Sequence, residues 1–134
     1  MNNQNSVTIT VSQQKTFNWE DVAELLQAAL DGGSRAWLVG VTRYKHDLQS
    51  RDVPGITFDS QVPIWPGCGL SITVLNDSRL YFLEQGDLKT GLEIMARDYA
   101  EHFRDFETQD DCGSTGDVFL QCCLFGKVVY AQED

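Results

Sequence analysis

Val7, Ile9 and Val11 alternate with Thr8, Thr10 and Ser12, the period of a strand with one buried face. Asn18 then stands where a helix N-cap belongs, with Phe17 and Val22 spaced as a hydrophobic staple and Glu20 and Asp21 in the first turn. Val22, Leu25, Leu26, Ala29 and Leu30 make one apolar stripe, which Gly32-Gly33 ends. The run from Ala36 to Tyr44 predicts a second strand. It is apolar on both faces, so a central place in a sheet is expected. Periodicity is lost from His46 to Gly69, a stretch marked by Pro54, Pro63 and Pro66.

Leu70 to Leu75 and Leu80 to Glu84 predict a hairpin closed by the polar turn Asn76-Asp77-Ser78-Arg79. Asp87 is expected to cap one long helix whose apolar positions are Leu88, Leu92, Met95, Tyr99, Phe103 and Phe106. On its surface, Glu93 with Arg97 and Arg97 with Glu101 have the spacing of ion pairs. Glu107 to Gly113 reads as a loop. Ser114-Thr115-Gly116-Asp117 has the form of a capping box with Asp117 at its last position. A third helix carries Val118, Phe119, Cys122 and Phe125 inward and stops at Gly126, before a short strand over Val128-Val129-Tyr130. The expected architecture is a single α+β domain: a mostly antiparallel sheet packed by two or three helices, in the order β-α-β-loop-β-β-α-α-β.

Composition narrows the roles. Twenty acidic residues oppose ten basic ones over 134 residues, a net charge of −10. Such a chain repels polyphosphate on average, which argues against direct nucleic-acid binding. No apolar run is long enough to span a bilayer, so no membrane role is expected. The polar start Met1-Asn2-Asn3-Gln4-Asn5 has no signal-peptide character, so a cytoplasmic protein is expected. The four cysteines, Cys68, Cys112, Cys122 and Cys123, fit reduced thiols there.

The charge is unevenly spread. From Glu84 to Asp117 ten acids meet three bases, a net −7. Asp98, Glu101, Asp105, Glu107, Asp110 and Asp111 are the candidate surface for a protein partner with a basic face; a solvated helix face is the plainer reading. The basic stretch is Arg35, Arg43, Lys45 and Arg51, with Trp37 and Tyr44 close by. Arginines beside aromatic rings suit a small anionic nucleotide, expected at a homo-oligomer interface; ordinary strand charge around a core tryptophan is the plainer reading.

Catalysis and metal binding have little support. His102, Asp111 and Cys112 lie close in sequence, but no recognised nucleophile, metalloprotease or phosphate-loop motif is present. The cysteines and the two histidines lack the close ligand pairs of a zinc site. A non-enzymatic protein without cofactor or metal is expected.

Two segments carry a resemblance. Trp19-Glu20-Asp21-Val22-Ala23-Glu24-Leu25-Leu26, then Ala29 to Gly33 and Trp37, resembles the opening of a family of small proteins from tailed-phage and prophage genomes. Asp117 to Gln121, Leu124-Phe125-Gly126 and Val128-Val129-Tyr130 resemble its C-terminal signature. Relatives commonly carry Tyr before the tryptophan and a thiol after it, where this chain has Ala36 and Leu38. The resemblance implies an accessory phage protein in the cytoplasm of a bacterial host. Its expected role is to bind and inhibit a host protein, antiviral defence included, or to serve as a minor structural or assembly protein.

Overall fold

A computed structural model describes residues 5–10, 14–45, 58–110 and 112–130. Strands β1 (Ser6–Thr10) and β2 (Gln14–Asn18) form an antiparallel hairpin. Helix α1 (Trp19–Ala28) follows directly and is extended by a π-helical turn over Ala29–Gly33. Strand β3 (Leu38–Lys45), a 3₁₀ turn (Asp59–Gln61), β4 (Cys68–Val74) and β5 (Asp77–Leu83) come next. Helices α2 (Gln85–Asp98), α3 (Ala100–Glu107) and α4 (Gly113–Phe125) close the described chain. The class is α+β with antiparallel sheets, as expected. The order ββ-α-β-ββ-ααα differs from the predicted one.

Strand β2 escapes the hydrophobic pattern because only Phe17 in it is apolar. It is held from outside the sheet. Phe17 packs its ring against Phe103 at 5.7 Å and Phe106 at 5.1 Å. Lys15, on the same strand face, lies over the Phe103 ring and pairs with Glu107 at 2.5 Å. Asn18 takes the N-cap position with extended backbone, but its side chain makes no capping bond.

The second sheet has the order β3-β4-β5, so β3 is an edge strand among the described residues and β4 the central one. The apolar character of β3 on both faces therefore does not mark a central position. Trp37 is buried just before the strand begins, and Val39 is 63% exposed at a bulge. The β4–β5 turn is tighter than predicted. Val74 pairs with Asp77, leaving Leu75 and Asn76 to turn the chain, and Asn76 takes the left-handed conformation (φ 60°).

The predicted long helix is two helices. Tyr99 (φ −134°, ψ 58°) separates α2 from α3, and its hydroxyl accepts the backbone N–H of Val128 at 2.8 Å. The N-cap of α2 is Glu84; Asp87 completes the box by accepting the Glu84 N–H. Arg97 turns to its neighbour Asp98 (2.9 Å) in place of Glu93 or Glu101.

Helix α4 is the centre of the molecule. Every residue from Thr115 to Cys122 is buried, the mark of a helix covered on all sides. Gly116 lets it close on α1: a Cβ there would lie 2.7 Å from the Leu25 carbonyl oxygen. Gly91 does the same for α2, where a Cβ would meet Cys123 Sγ at 2.3 Å. The helix begins at Gly113, one turn before Asp117, so the predicted capping box does not form. Gly126 ends the helix with φ 78°, as expected. The predicted last strand is absent: Val128 to Tyr130 make no ladder among the described residues.

Candidate functional site

The acidic candidates gather along α3 and its two ends. Glu101 and Asp105 stand one turn apart on the helix, where two like charges destabilise it by a few tenths of a kcal/mol. Glu101 is exposed and Asp105 partly so; neither takes part in an ion pair among the described residues. Asp98 and Glu107 flank them, held by Arg97 and Lys15. Asp110 is exposed past the helix end, its backbone N–H donating to the Asp105 carbonyl at 2.8 Å. Asp111 lies outside the described residues. Five of the six acids thus share one region, and Arg104 is the single basic residue of α3.

Among the described residues the basic candidates do not gather in the same way. Trp37 is 2% exposed; its ring stacks on Tyr130 (5.5 Å, 7° between planes) and packs on Phe125. Arg43 pairs with Asp59 at 2.6 Å. Tyr44, on the opposite face of β3, donates its hydroxyl proton to Glu84, and burial beside that carboxylate raises its pKa. Arg35 is exposed on the turn before β3. The Lys45 side chain and Arg51 lie outside the described residues. With Trp37 in the core, one of the two rings expected to stack on a base is occupied by protein.

Cys112 is the exposed thiol of the four. It sits at the N-cap of α4, 3.3 Å from the Ser114 hydroxyl. That hydrogen bond, with the backbone N–H groups of Thr115 and Ser114, lowers its pKa. His102 Nδ1 meets the Thr115 hydroxyl at 3.2 Å, so the imidazole connects to this corner through Thr115. The other thiols are sequestered. Burial pushes Cys122 up to about 12 and Cys123 also upward, and Cys68 is buried. Among the described residues no three His, Cys, Asp or Glu side chains cluster as a metal site would require. No helix among them is long and apolar enough to cross a membrane.

Two features were not singled out from sequence. The first is a buried polar node at Asp117, 2% exposed. Ser34 Oγ and Trp37 Nε1 both donate to its Oδ1 at 2.7 Å, and Gln121 Nε2 donates to Oδ2 at 3.1 Å. Gln121 Oε1 in turn accepts the backbone N–H groups of Val129 (2.7 Å) and Tyr130 (2.8 Å). Its Nε2 also donates to the Tyr130 carbonyl at 3.1 Å. One amide thus supplies what a neighbouring strand would have given. The available signal was a carboxylate and an amide four residues apart on an otherwise apolar helix. The second feature is the outer face of the β3-β4-β5 sheet, where Leu80 and Phe82 are about half exposed.

Comparison with known proteins adds no relative: no family model, no curated protein and no solved structure matches the chain.

Proposed function

We propose that the chain is a non-enzymatic binding protein that sets the acidic surface of α3 against a basic face of a host protein. The resemblance to small phage proteins supplies the setting, in which occupying such a face inhibits a host complex that handles nucleic acid. The observation that carries this reading is the pair Glu101 and Asp105. They lie one turn apart without a cationic partner among the described residues, with Asp98, Glu107 and Asp110 around them. The pair costs the isolated helix stability, and a cationic partner would reverse that cost.

The test compares the wild-type chain with Glu101→Lys/Asp105→Lys and with Glu101→Gln/Asp105→Asn in affinity capture from bacterial host extract. Capture runs at about 0.05 M and about 0.5 M salt, which changes the screening length severalfold. A protein captured by the wild type, lost with both variants and released by salt supports the reading. Equal capture by all three, or capture insensitive to salt, overturns it. The neutral variant removes the repulsion within α3, so its melting temperature should hold or rise, and lost capture cannot be put down to unfolding.

A further inference from the structure

In β4, Leu70, Ile72 and Val74 point into the core and are at most 3% exposed. Ser71 and Thr73 therefore point outward. Directly paired residues share a face, so Phe82 (opposite Ser71), Leu80 and Gly40 (opposite Thr73) and Thr42 (opposite Ser71) are on that outer face too. Tyr44 completes it, its ring edge-on to Phe82 at 5.6 Å. No charged side chain among the described residues projects from the middle of this face. Glu84 stands at the rim, engaged by Tyr44. Asp77 and Arg79 alternate to the other side of β5 with Tyr81.

The face has a shape as well. Leu80 (50% exposed) and Phe82 (52%) form a ridge along β5. Gly40, Thr42, Ser71 and Thr73 form a trough of small side chains along β3 and β4. Val39 (63%) and Leu75 (49%) are exposed at the bulge and the turn of the same end. The four apolar side chains expose on the order of 400 Å², within the range of the largest patch on an ordinary monomer.

We propose that this sheet face is the interface of a two-fold dimer of the chain with itself. Two arguments select a second copy. Each copy carries −10, so copies repel wherever charges face one another; the middle of this face, which bears no charge among the described residues, lets them touch there without desolvating ions. The shape is also self-complementary. A two-fold axis running along β4, between sheets stacked about 10 Å apart, sets β5 of one copy over β3 of the other. Phe82 then lies over Thr42, and Leu80 over Gly40, because each pair stands at the same level of the ladder. With the small polar residues included, the pairing buries on the order of 1,000 Å² in total, the low end for a specific interface, so the dimer is weak and concentration-dependent.

This surface is separate from the acidic one, and salt distinguishes them: screening strengthens contact between like-charged copies and weakens docking to a basic partner. The test is sedimentation equilibrium of the full chain from about 5 µM to about 500 µM, a range that brackets a micromolar dimer, at low and high salt. The expected result is a mass that rises from 15.1 kDa toward twice that value, more steeply at high salt. Leu80→Lys/Phe82→Asp should stay monomeric throughout, with unchanged circular dichroism. Thr42→Trp should also stay monomeric, because it fills the trough while adding apolar surface. A wild type that is monomeric across the range overturns the proposal, leaving the face to a different protein. Association that survives in the double variant, or that Thr42→Trp strengthens, overturns it equally.

Discussion

Trp37 donates its indole N–H to Asp117 across 2.7 Å in the interior, joining the start of β3 to the middle of α4. Ser34 meets the same oxygen, so Oδ1 serves two donors that have no access to water. Among the described residues, removing the carboxylate strands the Ser34 hydroxyl, the Trp37 indole and one Gln121 amide proton. Asp117→Ala is expected to cost about 3 kcal/mol or more, with a melting-temperature fall on the order of 10 °C. Asp117→Asn should lose less, since it keeps one oxygen for Ser34 and Trp37 but turns its NH₂ toward the donating Gln121 amide. Thermal melts of the two variants check the ranking.

Glycine-to-alanine exchange should change sign with position. At Gly116 the added methyl meets the Leu25 carbonyl and the Ala29 N–H at 2.7 and 2.8 Å, both backbone atoms. Overpacking of about 1–3 kcal/mol outweighs the helix-propensity gain there. At Gly86, in the first turn of α2, nothing lies within 4 Å of the new methyl. Gly86→Ala should stabilise by roughly 0.5–1 kcal/mol. Urea titration of both variants, with an unchanged slope, measures the two signs.

Asp77 should shape the acid limb of stability. Its carboxylate accepts hydrogen bonds from the Arg79 side chain and backbone and from the Tyr81 hydroxyl, which lower its pKa from 3.8 to about 2. A depressed folded-state pKa gives stability that is complete above the unfolded value and is lost as pH falls from about 3.8 toward about 2. Asp77→Asn should therefore flatten the fall in stability across that window and leave the region above pH 5 without this slope. Denaturation at a series of pH values tests it.

The four thiols should react in a fixed order. Cys112 is exposed and has the lowered pKa, while Cys68 and Cys122 are buried and burial raises Cys122 and Cys123. Iodoacetamide at neutral pH should label Cys112 first, and peptide mapping should find the others modified on the timescale of unfolding. Cys112→Ser should lose the fast labelling and keep its melting temperature, because serine is a good N-cap residue. Above pH 9 the raised Cys122 pKa acts in the opposite sense to Asp77: stability falls as pH rises toward about 12.

The sequence shows the helices and the hairpin of β4 and β5 through their apolar spacing, and what it hides has physical causes. The positions Leu92, Met95, Tyr99 and Phe103 keep helical spacing straight across the break at Tyr99. Periodicity reports the buried face, and both short helices bury the same face. The break comes with a long-range contact, the Tyr99 hydroxyl on the Val128 N–H. Strand β2 is hidden for the opposite reason: Lys15 lays its stem on Phe103 and keeps its charge for Glu107, so a polar letter does apolar work.

The acidic region was legible by counting charges, but the partners were not. Spacing paired Arg97 with Glu93 and Glu101; the fold gives it to Asp98. Asp117 was visible as a residue and misplaced by two positions, because the N-cap is Cys112 and not Ser114. The helix starts at Gly113, and that shift moves its carboxylate from a surface cap to the interior. For Trp37, the plainer of the two sequence readings matches its burial.

Gln121 holds the C-terminal segment by main-chain atoms alone. A grip of this kind does not read side chains, so it places unequal demands on the two parties. Position 129, half exposed, is free to drift through almost any residue with an N–H, proline excepted. Position 121 is not, because few side chains carry an acceptor and a donor on one flat group of that length. Among diverging copies of this chain, position 129 should change its letter, while the glutamine that holds it and the Tyr130 ring stacked on Trp37 stay the same.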